Sequence, residues 1–154
     1  MDLRCFAPAA AFAALPEFGA LIRLWLQRRG PAEVPDWSDV DFVDFRGWHA
    51  FLLLGRFDGN EPDPTLRMAG EGYIEMTKQN PRGWRISELV PRLYDLQFRD
   101  HFRRIRNDGA IGLTSGKVPL KGRGHVSLRI LELPFRDGGS GVRRTLHALI
   151  KGTA

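Results

Sequence analysis

Four histidines, one cysteine and eighteen acidic side chains are the groups in this 154-residue sequence able to hold a metal, move a proton or attack a carbonyl. Their spacing argues against most of that chemistry. His49, His125 and His147 fall in segments that read as three different strands, and they converge only if the registers bring them together. No histidine pair has the i,i+4 spacing of a helical zinc site. No Gly-x-Ser-x-Gly turn is present to present a nucleophilic serine. Cys5 stands alone, so an intrachain disulfide and a cysteine-rich zinc site are both excluded.

Three other clusters have simpler readings. Asp36, Asp39, Asp41 and Asp44 form an acidic run without EF-hand spacing, and capping of short helical turns by Asp36 or Ser38 accounts for it. Lys117–Gly124 carries basic residues and glycines, but it joins two strands, whereas a phosphate cradle opens a helix. Arg92, Arg99, Arg103, Arg104 and Arg106 lie on one helix. Without an interleaved aromatic platform they read as a basic face for solvent or an acidic protein partner rather than for nucleic acid.

The elements that position these residues follow from apolar periodicity. Pro16–Arg29 reads as a helix, because Phe18, Leu21, Ile22, Trp25 and Leu26 repeat on one face and Gly30-Pro31 ends it. Asp36–Phe45 reads as a short acidic helix. His49–Phe57 is a continuous apolar run and reads as a buried strand, paired with Thr65–Ala69 across a Gly-Asn-Glu-Pro turn. Short helices around Tyr73–Thr77 and Ser87–Val90 lead to a longer one from Arg92 to Asn107, stopped at Gly109. Three strands close the chain: Ala110–Val118, His125–Phe135 and Val142–Ile150. The apolar alternation of the second slips at Ile130–Leu131, which a β-bulge would explain. The sum is an α+β domain, a five-stranded antiparallel sheet with a helical crossover and an extra N-terminal helical segment.

Composition sets the outer limits. The sequence is 43% hydrophobic with ten Phe and four Trp, enough for a substantial core. The net charge of +5 comes from 23 basic and 18 acidic residues, too balanced to specify an anionic partner. No apolar run reaches membrane-spanning length. The Ala-rich start resembles a signal peptide near Ala11-Phe12-Ala13, but Asp2, Arg4 and Pro8 interrupt it, and a cytoplasmic location is the expectation.

The order of elements, together with three groups of residues, resembles the PAS superfamily, in particular short single-domain PAS-like proteins of alphaproteobacteria. The first group is Leu24-Trp25 and Asp39-Val40-Asp41. The second is Leu66-Arg67-Met68-Ala69-Gly70, Tyr73-Ile74-Glu75-Met76, Gly83-Trp84 and Ser87-Glu88-Leu89. The third is Leu131-Glu132-Leu133-Pro134-Phe135, Asp137-Gly138-Gly139, Val142 and Leu146. The likeness runs from about Leu15 to Ile150. Phe42 stands where that family prefers Pro, and Trp84 where it prefers a basic residue. The resemblance implies sensing of a small molecule, light or redox state, or dimerisation. It also makes His101 a conceivable axial haem ligand, from the helix before the closing strands. Light-sensing flavin chemistry of this superfamily needs a crossover cysteine, and Cys5 lies far from that segment.

These readings combine into one set of expectations. Residues 1–14 form a poorly ordered N-terminus, 15–46 a helical segment and 47–151 the PAS-like domain. The domain is a non-enzymatic sensory or regulatory module that binds a small molecule, a protein partner or both, and signals through contacts with an unidentified protein; its cofactor is unspecified. Its pocket lies between sheet and crossover, lined by Tyr73, Met76, Trp84, Phe98 and Phe102. Phe18, Leu21, Ile22 and Trp25 form the interface of a homodimer. The alternatives are a basic nucleic-acid-binding adaptor, marked by salt-dependent affinity, and a small α+β enzyme, marked by an enclosed pocket joining His to a carboxylate.

Overall fold

The chain opens on a strand rather than a loose tail. In the computed structural model, which describes residues 1–120 and 124–152, β1 (Asp2–Phe6) pairs antiparallel with the fourth strand. Helix α1 (Pro8–Ala14) follows, with Pro8 in its first turn, where a missing N–H is harmless. Residues 1–14 are therefore part of the fold, and the expected disordered start is corrected. The segment lacks the length and alternation that mark a strand in a sequence; pairing along β4 supplies what five residues alone do not.

A 3-10 turn over Pro16–Phe18 leads into α2 (Gly19–Arg29). The Asp36–Phe45 segment is two 3-10 turns, Trp37–Asp39 and Phe42–Phe45, rather than one helix. Each is closed by a carboxylate on backbone N–H groups. Asp36 accepts from Ser38 N, and the Asp39 and Asp44 side chains accept from the backbone N–H groups of Asp36 and Asp41. No group of three His, Cys, Asp or Glu side chains is arranged to hold a metal ion there or elsewhere among the described residues.

The sheet has six strands in the order β1-β4-β5-β6-β2-β3, all neighbours antiparallel. Strand β2 (Leu52–Arg56) lies between β3 (Thr65–Ala69) and β6 (Val142–Lys151), so the first strand of the hairpin is beside the last strand of the chain. The crossover holds α3 (Glu71–Thr77), short turns at Ile86–Glu88 and Arg92–Tyr94, and α4 (Asp95–Asp108). Gly109, at φ 63°, closes α4 in the left-handed conformation that glycine adopts without strain. Strands β4 (Ile111–Leu120) and β5 (Gly124–Arg136) then form the long hairpin whose turn lies mostly outside the described residues. The strand count is thus six rather than five, the sixth being β1. The outer edge of β3 is covered by backbone bonds from residues 83–86, Gly83 N to Leu66 O and Leu66 N to Trp84 O among them.

Helices cover both faces of this sheet. On β5 the even-numbered side chains face α4: Glu132 meets His101. The odd-numbered ones face the N-terminal segment: Phe135 meets Trp37 edge-on at 5.1 Å, and Arg129 pairs with Glu17. This explains the slip in the apolar pattern of β5. Pairing is regular through Thr114↔Ile130 and Leu113↔Leu131, and the register shift comes later, between Phe135 and Arg136. From Leu131 to Phe135 the strand is buried on both faces, so alternation stops without a bulge.

The apolar stripe of α2 is spent inside the chain. Phe18, Leu21, Ile22 and Trp25 are all at most 2% exposed. Trp25 donates from Nε1 to the carbonyl oxygen of Pro134, 2.8 Å away. Pro134 lies beyond the last β4 partner of β5, Glu132↔Gly112, so its missing N–H costs that ladder nothing. The expectation that these four residues form a dimer interface is corrected: a face buried against its own sheet is not available to a second copy. The same contacts make residues 15–46 part of one core with the sheet rather than an appended segment.

Candidate functional site

One cross-strand row positions the polar groups of the interior. Antiparallel partners point to the same face, and the registers Cys5↔Gly112, Gly112↔Glu132, Glu132↔His147 and His147↔Leu53 cross the sheet from β1 to β2. Helix α4 lies over this row and lowers His101 onto it. His101 Nε2 is 2.8 Å from Glu132 Oε1, and Thr114 donates to Glu132 Oε2 at 2.7 Å. The Cys5 sulfur lies 3.4 Å from His101 Nδ1 and 3.7 Å from the His101 carbonyl oxygen. A thiol that donates to that carbonyl accepts from Nδ1–H, so both ring nitrogens of His101 act as donors. Burial opposes that charge. The neighbouring Glu132 carboxylate and the hydrogen bonds to Cys5 and Glu132 outweigh it and push the His101 pKa up to about 10. His101 and Glu132 are a buried imidazolium–carboxylate pair.

Two glycines make room for these buried polar groups. A Cβ on Gly112 would sit 2.6 Å from Glu132 Oε1 and 2.9 Å from His101 Nε2. A Cβ on Gly55 would collide with Thr145 Oγ1 and lie 3.3 Å from His147 Nε2. His147 itself is fully enclosed, and burial, with repulsion from His101 and against attraction to Glu132, lowers its pKa to about 4. It is neutral, with Nε2 2.7 Å from Thr145 Oγ1.

Beside this row lies a cavity of about 80 Å³ between the sheet and the crossover. Its walls are apolar, with Tyr73, Ile86, Phe98, Phe102 and Ile130 among them, and Thr114, Glu132 and His147 give it a polar side. Of the five residues expected to line a pocket, Tyr73, Phe98 and Phe102 do so. Met76 packs against the core without reaching the cavity, and Trp84 is exposed on the segment that covers β3. Both expectations rested on apolar size alone, and α3 and the 83–86 segment turn these two side chains elsewhere. His49, His125 and His147 do not converge. His49 stacks on Phe42, His125 is exposed, and His147 lies opposite Glu132 in the register and bonds Thr145. Sequence reasoning missed Glu132 and Thr114; the one available signal was a charged residue inside the run Leu131-Glu132-Leu133.

Neither cofactor that the resemblance suggests fits. His101 is 3% exposed with both ring nitrogens engaged, so it has none to give an iron. A cavity of about 80 Å³ is well below the roughly 300–1,000 Å³ of pockets for larger ligands. Residues 70–110 also contain no cysteine, so a flavin has neither space nor its reactive partner.

No protein-family model matches the chain, and no curated protein matches it. A search of solved structures finds similarity to an RNA-binding light-oxygen-voltage receptor, with a TM-score of 0.54 and 18% sequence identity. The match covers 94% of this chain and 46% of that one, so the present chain spans about half its length. The fold is PAS-like: five strands in the order β3-β2-β6-β5-β4 with a helical crossover, extended by β1 at one edge. No single helix among the described residues is long and apolar enough to cross a membrane.

Proposed function

We propose that this chain is a sensory module of PAS-like fold whose cavity binds a small, mostly apolar molecule and whose output passes through contacts with another protein. The observation that carries the reading is the cavity itself, apolar on the crossover side and bounded on the sheet side by Thr114, Glu132 and His147. A route outward is built into the crossover. Leu89 and Val90 line the cavity, while Leu93 and Leu96, a few residues on, are each 81% exposed. A shift of that segment on ligand entry moves cavity wall and surface together.

Two other readings meet specific observations. A histidine and a carboxylate at hydrogen-bond distance beside a cavity is the arrangement expected of a small enzyme. Here the pair is poorly suited to proton abstraction: the imidazolium has no lone pair, and both Glu132 oxygens already accept hydrogen bonds. The solved structure of similar fold is that of an RNA-binding receptor. In the present chain Arg99 is tied to Asp95 and Glu61, Arg103 to Asp100, and Arg106 to the Glu61 carbonyl, which leaves the basic helix largely self-paired. Sensing is therefore the reading we adopt, with a cytoplasmic setting as its natural context.

The test is methyl NMR of the intact chain, titrated with a series of small cyclic and short-chain molecules. The expected result is saturable shifts at Leu53, Ile86, Leu89, Val90 and Ile130, with secondary shifts at Leu93 and Leu96. A series that leaves every one of these methyls unmoved defeats the proposal.

A further inference from the structure

The ligand's polar atom can be read from His147. Thr145, 1% exposed, has one hydrogen-bond partner for its hydroxyl among the described residues, His147 Nε2. If Nε2 carried the proton and donated to Thr145, the threonine hydroxyl proton would be left without an acceptor in the interior. His147 Nδ1 would also be an unmatched lone pair. If Thr145 donates to Nε2 instead, the hydroxyl is satisfied and one group remains open, Nδ1–H. Leaving one buried group unpaired is less costly than leaving two, so the second tautomer is favoured. His147 is 2% exposed and lines the cavity; among the described residues no fully enclosed side-chain nitrogen or oxygen lacks a partner, so Nδ1, which has none, is open to the cavity.

From this geometry we infer that the cavity takes a compact, uncharged molecule with an oxygen acceptor on an otherwise hydrocarbon body, its oxygen accepting from His147 Nδ1–H. The inference rests on the cavity being the ligand site. The absence of charge follows from the neighbour. Glu132 also lines the cavity, and its charge is already balanced by His101. A carboxylate ligand would bring a second negative charge beside it with no further cation, whereas a ketone, aldehyde or ester brings an acceptor alone. Size sets the rest: about 80 Å³ admits a small ring or short chain rather than a multi-ring compound.

Two measurements test it. Long-range proton–nitrogen NMR of the free protein reads the tautomer directly. The expected result is a protonated Nδ1 and an unprotonated Nε2 on His147; the reverse overturns the inference. Cyclopentanone, methylenecyclopentane and cyclopentanecarboxylate are then titrated while the cavity methyls are followed. The ketone should bind about tenfold more tightly than the hydrocarbon of the same shape, one neutral hydrogen bond's worth, and shift the His147 Nδ1–H signal. The carboxylate should bind most weakly. In His147→Phe the ketone preference should vanish while hydrocarbon binding persists. Should that variant fail to fold, Thr145→Val, which frees Nε2 to take the proton, should shrink the preference. Equal binding of ketone and hydrocarbon, or tighter binding of the carboxylate, overturns the inference and leaves the cavity reading standing. No cavity shift with any probe overturns both.

Discussion

His101 on the crossover helix and Glu132 on the central strand are joined at 2.8 Å, each with 2% of its side chain exposed. Ninety-six residues separate Cys5 from His101 and thirty-one separate His101 from Glu132, yet the three meet at one point of the sheet. A buried ion pair is costly to desolvate, and removing one member leaves the other uncompensated. Glu132→Gln should therefore destabilise the fold by about 3 kcal/mol near pH 6, measured by urea denaturation. It should also lower the His101 titration from about 10 to below the usual histidine range, since burial remains and the countercharge is gone. An unchanged His101 titration in this variant would show that Glu132 is not what holds the proton.

Stability should peak near pH 6.5, with two histidines shaping opposite limbs. His101 binds its proton more tightly in the fold than in the unfolded chain, so its contribution is complete below 6.5 and is lost as pH rises toward 10. His147 is the reverse. Its contribution is complete above 6.5 and is lost as pH falls toward 4, by on the order of 3 kcal/mol. Tyr73, raised by burial, adds to the alkaline loss at higher pH, and the lowered carboxyls of Glu17, Asp36 and Asp44 act from the acid end of the His147 range downward. Urea midpoints between pH 5 and 9 should trace this curve. His147→Phe should flatten the acid side and Glu132→Gln the alkaline side; an acid limb equally steep without His147 would assign it elsewhere.

Gly112 holds the space in which the pair meets. Its substitution by alanine places a methyl 2.6 Å from both Glu132 Oε1 and Ile105 Cδ1, so these side-chain ends must shift and the His101–Glu132 contact with them. The expected loss is about 1–3 kcal/mol, the range for overpacked cores. Gly139→Ala is the matched control, because a Cβ there meets nothing within 4 Å. Equal melting temperatures for the two variants would contradict the close approach.

Local pattern carried much of this fold into the sequence, and pairing partners carried the rest. The stripe Phe18, Leu21, Ile22 and Trp25, the apolar run at Leu52–Leu54 and the Asp137-Gly138-Gly139 turn are legible because periodicity and turn chemistry are properties of neighbours along the chain. Strand β1 is not legible, because five residues pair only with a strand more than a hundred positions later. What a stripe is buried against is equally hidden: α2 reads the same whether it covers a sheet or a second copy. The site is the extreme case. Glu132, Thr114 and His147 sit at unremarkable positions in three strands, and only the register Glu132↔His147 and the descent of α4 unite them with His101. Phe98 and Phe102 were legible as pocket residues because one helix face supplies both.

Helix α2 and the junction between the Arg92–Tyr94 turn and α4 should respond oppositely to polar substitution. Leu21 and Trp25 are 2% and 1% exposed, and Trp25 also holds the Pro134 carbonyl. Charges at both positions, Leu21→Asp with Trp25→Asp, would have no partners in the core. The expected product is an unfolded chain, seen as loss of near-ultraviolet circular dichroism and a collapsed melting transition. Leu93 and Leu96 are 81% exposed, so Leu93→Ser with Leu96→Ser should leave the melting temperature within a degree or two of the parent, as surface changes do. Any protein contact through which this module signals should weaken in the serine variant while cavity binding persists. A folded, monomeric aspartate variant would show that α2 lies outside the core, and a serine variant that melts early would show that Leu93 and Leu96 are packed rather than presented.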